Sequence, residues 1–421
     1  MHRRWEIPDE QRMAADSVPL HNWMGLLTAM LHIKSIAKTL LGVGWQVADR
    51  LVLAGMRPTP AATPTLLLIR LERIGDVVLW LPTAQHIIRH YKDRGFRVIL
   101  AVAGECAGLV KELAGVDQIV TVDRSAFLLR PAYRWACLRR VRALGATEAI
   151  LGTFSRVSAL GDALIRASAA RRRVGWVGDG AASSQLERRL GDSAYTEQLS
   201  NPVGVEHEML RNEALPGLLG IAMPASLPPP QIPRETASGL PDRFYILAPG
   251  ASQVLRYWPA ESFAALARKV HAATGAVGIV VGSAGDRDRA TAIAEAAPDI
   301  PIQVMTGVGG LGLLADMIAR AFLVVTSDSA AVHFAAALGT PSVCITGGGG
   351  YGRFVPYPEQ SLVTVRAPRV VIHRMACFGC DWKCPYSPLS NRPAPCVTQV
   401  PVAAVWEEVR QILDMEPLTA S

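Results

Sequence analysis

The stretch from Phe322 to Pro341 constrains this chain more than any other. An apolar, β-branched run ends in Thr326-Ser327-Asp328-Ser329. A small-residue helix begins at once and stops at Gly339-Thr340-Pro341. This reads as a strand, a tight turn and a helix whose N-terminus is built from small polar side chains. The first N–H groups of such a helix lack internal partners, and its dipole favours negative charge, so the turn suits a phosphate. Asp328 and His333 flank it.

Similar strand–helix alternation fills most of the chain. After a Pro/Thr/Ala linker at residues 57–65, strands are expected at Thr65–Arg70, Phe96–Val102, Gln118–Asp123, Glu148–Leu151 and Arg173–Trp176, with helices between them. A second series runs through Phe244–Ala248, Ala276–Val281, Ile302–Thr306, the opening motif, Pro341–Thr346 and Leu362–Arg366. Buried-type strands alternating with helices imply parallel sheets. The proline-rich segment 223–242 separates the two series. The expected division is an N-terminal helical extension and linker (1–64), a first Rossmann-like domain (65–222), that linker, and a second Rossmann-like domain (243–421). A ligand cleft is expected between the two domains.

The chain has 421 residues, half of them apolar, and a net charge of +7. That balance fits an anionic ligand or membrane surface and excludes global disorder; no nucleic-acid motif accompanies it. No signal-peptide order opens the chain, so a cytoplasmic, reduced protein is expected. No run reaches the roughly 18 apolar residues of a spanning helix. Leu20 to Gly55 comes nearest, mixing apolar and basic residues at helical spacing. It reads as an extension packed on the body or on another subunit; an interfacial helix at an anionic bilayer is the alternative.

Four further turns carry candidate chemistry. Ile74-Gly75-Asp76 follows the first strand, where Asp76 either caps its helix or faces a ligand at the strand ends. Gly250, Ser252 and Arg256 lie in the loop after Phe244–Ala248, where loop amides, a hydroxyl and a guanidinium suit phosphate. Asp286 follows the next strand and suits sugar hydroxyls or a helix cap. The glycines at 347–350 allow a close ligand approach or a flexible lid. Separately, Cys377, Cys380, Cys384 and Cys396 have a spacing that four thiolates on one iron or zinc could use; reduced thiols packed in a loop are the alternative.

In their order, these motifs resemble glycosyltransferase family nine, the ADP-heptose–lipopolysaccharide heptosyltransferases, over roughly residues 65–410. The resemblance rests on Ile74-Gly75-Asp76, on Ala248–Ser252 with Arg256–Pro259, on Ser327–Pro341, and on His207-Glu208 with Arg211-Asn212. It implies a GT-B fold and an inverting transfer that needs no metal or other cofactor. Asp76 becomes the general base. Arg256, Ser252 and the helix near Ser329 and Ala330 hold the departing ADP. Asp328, His333, Gly250 and Asp286 contact the nucleotide-sugar. The implied partners are an ADP-sugar and a lipopolysaccharide-core or other glycan or protein acceptor, met at the inner face of the bacterial inner membrane. Protein O-heptosyl transfer with a cysteine-bound metal, and nucleotide-sugar binding with reduced catalysis, are the alternatives. Arg256 stands where the family often has Lys, and Ser329-Ala330 where Thr-Gly is common.

Overall fold

The computed structural model describes residues 20–59, 62–387 and 389–415, with the backbone alone for residues 20–35 and for Lys38. Residues 1–19 and the side chains from Trp23 to Lys34, which the extension reading drew on, lie outside the described residues.

Two six-stranded sheets form the body. The first contains β1 (Thr65–Arg70), β2 (Arg97–Ala103), β3 (Gln118–Val122), β4 (Glu148–Leu151), β5 (Arg172–Trp176) and β6 (Glu197–Leu199). The second contains β7 (Phe244–Ala248), β8 (Val277–Gly282), β9 (Ile302–Thr306), β10 (Val324–Ser327), β11 (Ser342–Ile345) and β12 (Arg369–Val371). Their orders are β3-β2-β1-β4-β5-β6 and β9-β8-β7-β10-β11-β12. All pairs are parallel. Both sheets therefore repeat one doubly wound plan, whose order reverses between β1 and β4 and again between β7 and β10. Ligands bind outside the strand ends at such reversals.

The central strands are apolar because helices cover both their faces. All six residues of β1 and all five of β7 are buried. A continuous apolar core joins the domains: Leu66, Val77, Trp80 and Ile88 pack in one cluster with Phe244, Ile246, Val324 and Phe334. The seam is packed rather than open along Val78, Leu79, Met209 and Tyr357, where only about 10 Å³ remains. A cavity of about 280 Å³ lies beside Phe322, Gly339, Arg366 and Ile412, and no candidate site residue lines it.

Leu362–Arg366, expected as a strand, is not part of the sheet. Leu227 N donates to Leu362 O at 2.7 Å, Leu362 N donates to Glu213 Oε2 at 3.1 Å, and Val363 bridges Leu227. The proline-rich linker and a carboxylate of the first domain claim this β-prone run, and the sixth strand forms after Pro368 instead. The helix expected after the second strand, over Cys106–Ala114, forms only as the turn Gly104–Cys106 and the short helix Ala107–Val110.

The extension is helical from Leu20 to Ala54. Its described half packs on the first domain, on the sheet face away from the second. Asp49 pairs with Arg134, both fully buried. Trp45 Nε1 donates to Leu128 O and Gln46 Nε2 to Glu187 O, each at 3.0 Å.

Candidate functional site

Two helices meet N-terminus to N-terminus across the seam. The helix Ile74–Asp93 follows β1 and the helix Ala330–Leu338 follows β10. Gly75 makes the approach possible: a Cβ there would lie 2.8 Å from His333 Cδ2 and 3.5 Å from Ala330 Cα. Gly75, Ala330 and His333 thus come together from opposite domains, with Asp76 one residue away.

The first-domain side is an ionic cluster at the β1/β4 reversal. Arg70 ends an otherwise apolar strand and is fully buried. Its guanidinium donates to Gly152 O at 2.6 Å, Asn212 Oδ1 at 3.2 Å and Glu208 Oε1 at 3.3 Å, and Nε lies 2.9 Å from Glu72 Oε2. Glu72 also accepts from Thr153 Oγ1 at 2.7 Å. Glu208 lies 3.5 Å from Arg211 and 3.9 Å from Arg353. Arg353 belongs to the second domain, and its Nη2 donates to Ser155 Oγ at 2.7 Å. Glu208, Arg211 and Asn212, noted in the sequence, are therefore brought around Arg70.

Asp76 occupies the third position of its helix, where its Oδ2 accepts from Arg73 N at 3.2 Å. The capping role is real and leaves room for another. Burial and the Glu208 carboxylate raise the Asp76 pKa above its ordinary value, against Arg70 and Arg353. Burial, opposed by Arg70 and reinforced by Asp76 and Glu208, pushes Glu72 up to about 7. A carboxylate raised towards neutrality is a stronger base than an ordinary one. Glu72, Arg70 and Arg353 escaped the sequence reading; charged residues at 70 and 72, at the end of a fully buried strand, were the available signal.

The second-domain side surrounds Asp328. Arg256 Nη1 donates to Asp328 O at 3.4 Å and lies 3.6 Å from Asp328 Oδ2. The Arg256 guanidinium sits 4.9 Å from the Trp382 ring centroid. Arg256 Nε and Asp328 Oδ2 are buried without a hydrogen-bond partner among the described residues. Ser329 caps its helix by accepting from Ala331 N at 3.4 Å. His333 Nδ1 is 2.7 Å from Tyr357 Oη. Burial, with His207 and Arg256 nearby, lowers the His333 pKa to about 3, so the ring is neutral.

Asp286 is brought against Gly250, where a Cβ would meet its carboxylate at 2.7 Å. Its Oδ2 accepts from Ser283 N at 2.9 Å and Ser283 Oγ at 2.6 Å, and Oδ1 lies 3.3 Å from Arg289. It is a helix cap. Ser252 is exposed on the loop.

The glycine turn serves the protein's own packing. A Cβ at Gly347 would lie 2.7 Å from Cys396 Sγ, and one at Gly348 would lie 2.7 Å from Phe378. Trp382 fills the space beside Gly349, and Asp328 that beside Gly350. The cysteine-rich loop thus lies against the turn. Asp381 and Trp382 both hold left-handed backbone, with φ of 48° and 58°. Such conformations are costly for non-glycine residues. They let Asp381 reach Arg353, 3.7 Å away, while Trp382 lies against Arg256.

Cys377, Cys380, Cys384 and Cys396 are all free thiols. Burial raises the pKa of Cys377, Cys380 and Cys396. Among the described residues, no three of His, Cys, Asp and Glu are arranged to hold a metal ion.

The family model for glycosyltransferase family 9 (heptosyltransferase) matches residues 134–370. That span includes Gly250 to His333; Asp76 precedes it. Among solved structures, E. coli ADP-heptose lps heptosyltransferase II matches at TM-score 0.58 and 18% identity, covering 84% of this chain and 99% of that one. A glycosyl transferase family 9 structure from Veillonella parvula DSM 2008 matches at TM-score 0.64 and 17% identity, covering 85% and 100%. E. coli heptosyltransferase WaaC with ADP-2-deoxy-2-fluoro heptose matches at TM-score 0.56 and 18% identity, covering 82% and 99%. These likenesses establish the GT-B fold. No curated protein matches the chain.

Proposed function

The chain belongs to glycosyltransferase family 9, the heptosyltransferases, and from that membership we propose that it moves a heptose or related sugar from ADP to a lipopolysaccharide-core or related acceptor, with inversion and without a catalytic metal. The observation that carries this reading is the meeting of the two helix N-termini at Gly75 and His333. It sets a carboxylate of raised pKa close to a helix start suited to phosphate.

In this mechanism Asp76 accepts the acceptor hydroxyl's proton as that oxygen bonds to the anomeric carbon. The bond from that carbon to the ADP oxygen breaks from the opposite side, and ADP leaves with the electron pair. A base suits this step because the hydroxyl becomes acidic only as the new bond forms. Arg256, Ser252 and the first-turn amides after Ser329 supply fixed positive potential to the departing diphosphate. Arg256 Nε, buried with its donor unused, supports that role. Gly250, Asp286, Asp328 and His333 line the donor side. His333, being neutral, shapes the site without adding charge.

A binding screen of ADP-, GDP- and UDP-sugars tests the donor. The ADP-sugar should bind best, and transfer from it should invert the anomeric configuration. Equal affinity for all three would overturn the donor assignment. Tight ADP-sugar binding without transfer to any glycan or protein acceptor would overturn the transferase reading.

A further inference from the structure

From Ile36 to Ala54 the outer face of the helix Leu20–Ala54 is apolar and has no partner among the described residues. Every exposed described residue from 36 to 55 is apolar or glycine. Ile36, Leu40, Val47 and Leu51 form one stripe, with Leu41 beside it, and Leu51 is 73% exposed. The spacing of 36, 40, 47 and 51 keeps them on one side of a helix over about 22 Å. Leu129 and Leu186 of the first domain are also exposed. They adjoin Leu128 and Glu187, whose carbonyls hold Trp45 and Gln46.

Charge identifies what covers this face. Arg50 flanks the stripe on the same helix. Its Nη2 donates to Leu190 O and Ser193 Oγ, both at 3.0 Å. Arg166 Nη2 donates to the same two oxygens, both at 3.1 Å. Arg173 Nε donates to Ala194 O, at 2.5 Å, on the same turn. Three guanidiniums therefore converge on neutral oxygens at one helix end. The nearby carboxylates are engaged elsewhere: Asp49 with Arg134, and Asp162 with Tyr195 Oη at 2.5 Å. The helix dipole favours cations there, but three exceed what one short helix end offsets.

We propose that this helix lies in the plane of an anionic bilayer and docks the first domain there, the stripe entering the acyl boundary and the arginines meeting lipid phosphates. No described helix is long and apolar enough to cross a membrane, which fits an in-plane arrangement.

Flotation of the full chain with vesicles tests this without any sugar substrate. The probes are vesicles of phosphatidylcholine alone or with phosphatidylglycerol added. The parent should float with the anionic vesicles and remain unbound with the neutral ones. The triple variant Leu40→Gln, Val47→Gln, Leu51→Gln changes only exposed side chains and should bind roughly tenfold more weakly or worse. Arg166→Gln should weaken binding separately and reduce its salt sensitivity. A parent that fails to float, or a triple variant that floats as the parent does, would overturn the proposal. So would parent self-association that the triple variant abolishes, since a second copy would then cover the face.

Discussion

Gly75 and His333 belong to different domains, yet no side chain fits between them: a Cβ on Gly75 would stand 2.8 Å from His333 Cδ2. The ring cannot easily yield, because it is buried and held by the Tyr357 hydroxyl. Gly75→Ala should therefore cost about 1–3 kcal/mol of stability through overpacking. It should also lower transfer by moving the two helix starts apart. Gly44→Ala is the control, since a Cβ there meets nothing within 4 Å. It should stabilise the helix by about 0.5–1 kcal/mol. Thermal midpoints of the two variants check both directions.

Trp382 supports Arg256 through its ring face at 4.9 Å. Trp382→Leu keeps an apolar filler but removes the ring's attraction for the cation, worth about 0.5–2 kcal/mol. The expected result is a several-fold loss in kcat/KM for the donor. Asp381→Asn should instead act through Arg353, with a smaller effect on donor affinity. Steady-state kinetics with varied donor separates the two.

The acid limb of stability should follow two histidines. Burial lowers the pKa of His207 to about 4 and of His333 to about 3, below the ordinary 6.5. The unfolded chain then binds protons more readily, so their contribution is present above pH 6.5 and is lost as pH falls through those lower values. Glu72 acts oppositely: its pKa rises from 4.5 to about 7, so its contribution is full below pH 4.5 and is lost as pH rises through 7. His207→Gln should flatten the acid limb and Glu72→Gln the limb approaching neutrality. Melting each variant across this range measures both effects.

Much of this architecture was legible in the sequence, because a parallel strand buried on both faces declares itself as an apolar run. Thr65–Arg70, Phe244–Ala248 and Ile302–Thr306 match the sequence boundaries. Leu362–Arg366 did not become a strand, since residue preference does not reveal that Leu227 and Glu213 compete for its backbone. The local turns around Asp76, Gly250 and Asp328 were visible, as was the helix start near Ser329. The partnership of Glu72 with Arg70 and Thr153 was not, because it depends on the ends of two strands meeting. Arg353 and Trp382 were hidden for the same reason: each acts on a residue distant in the chain. The four glycines were ambiguous; only the packed fold shows Phe378 and Trp382 filling the space beside them.

The central claim is that Asp76 takes the acceptor's proton. Asp76→Asn keeps the size of the side chain and an oxygen that can still cap Arg73 N, but removes the base. Turnover measured with saturating donor and acceptor should fall by roughly 10²–10⁴-fold. ADP affinity, measured by calorimetry on the same preparation, should remain close to the parent's. Near-normal turnover by Asp76→Asn would contradict the account.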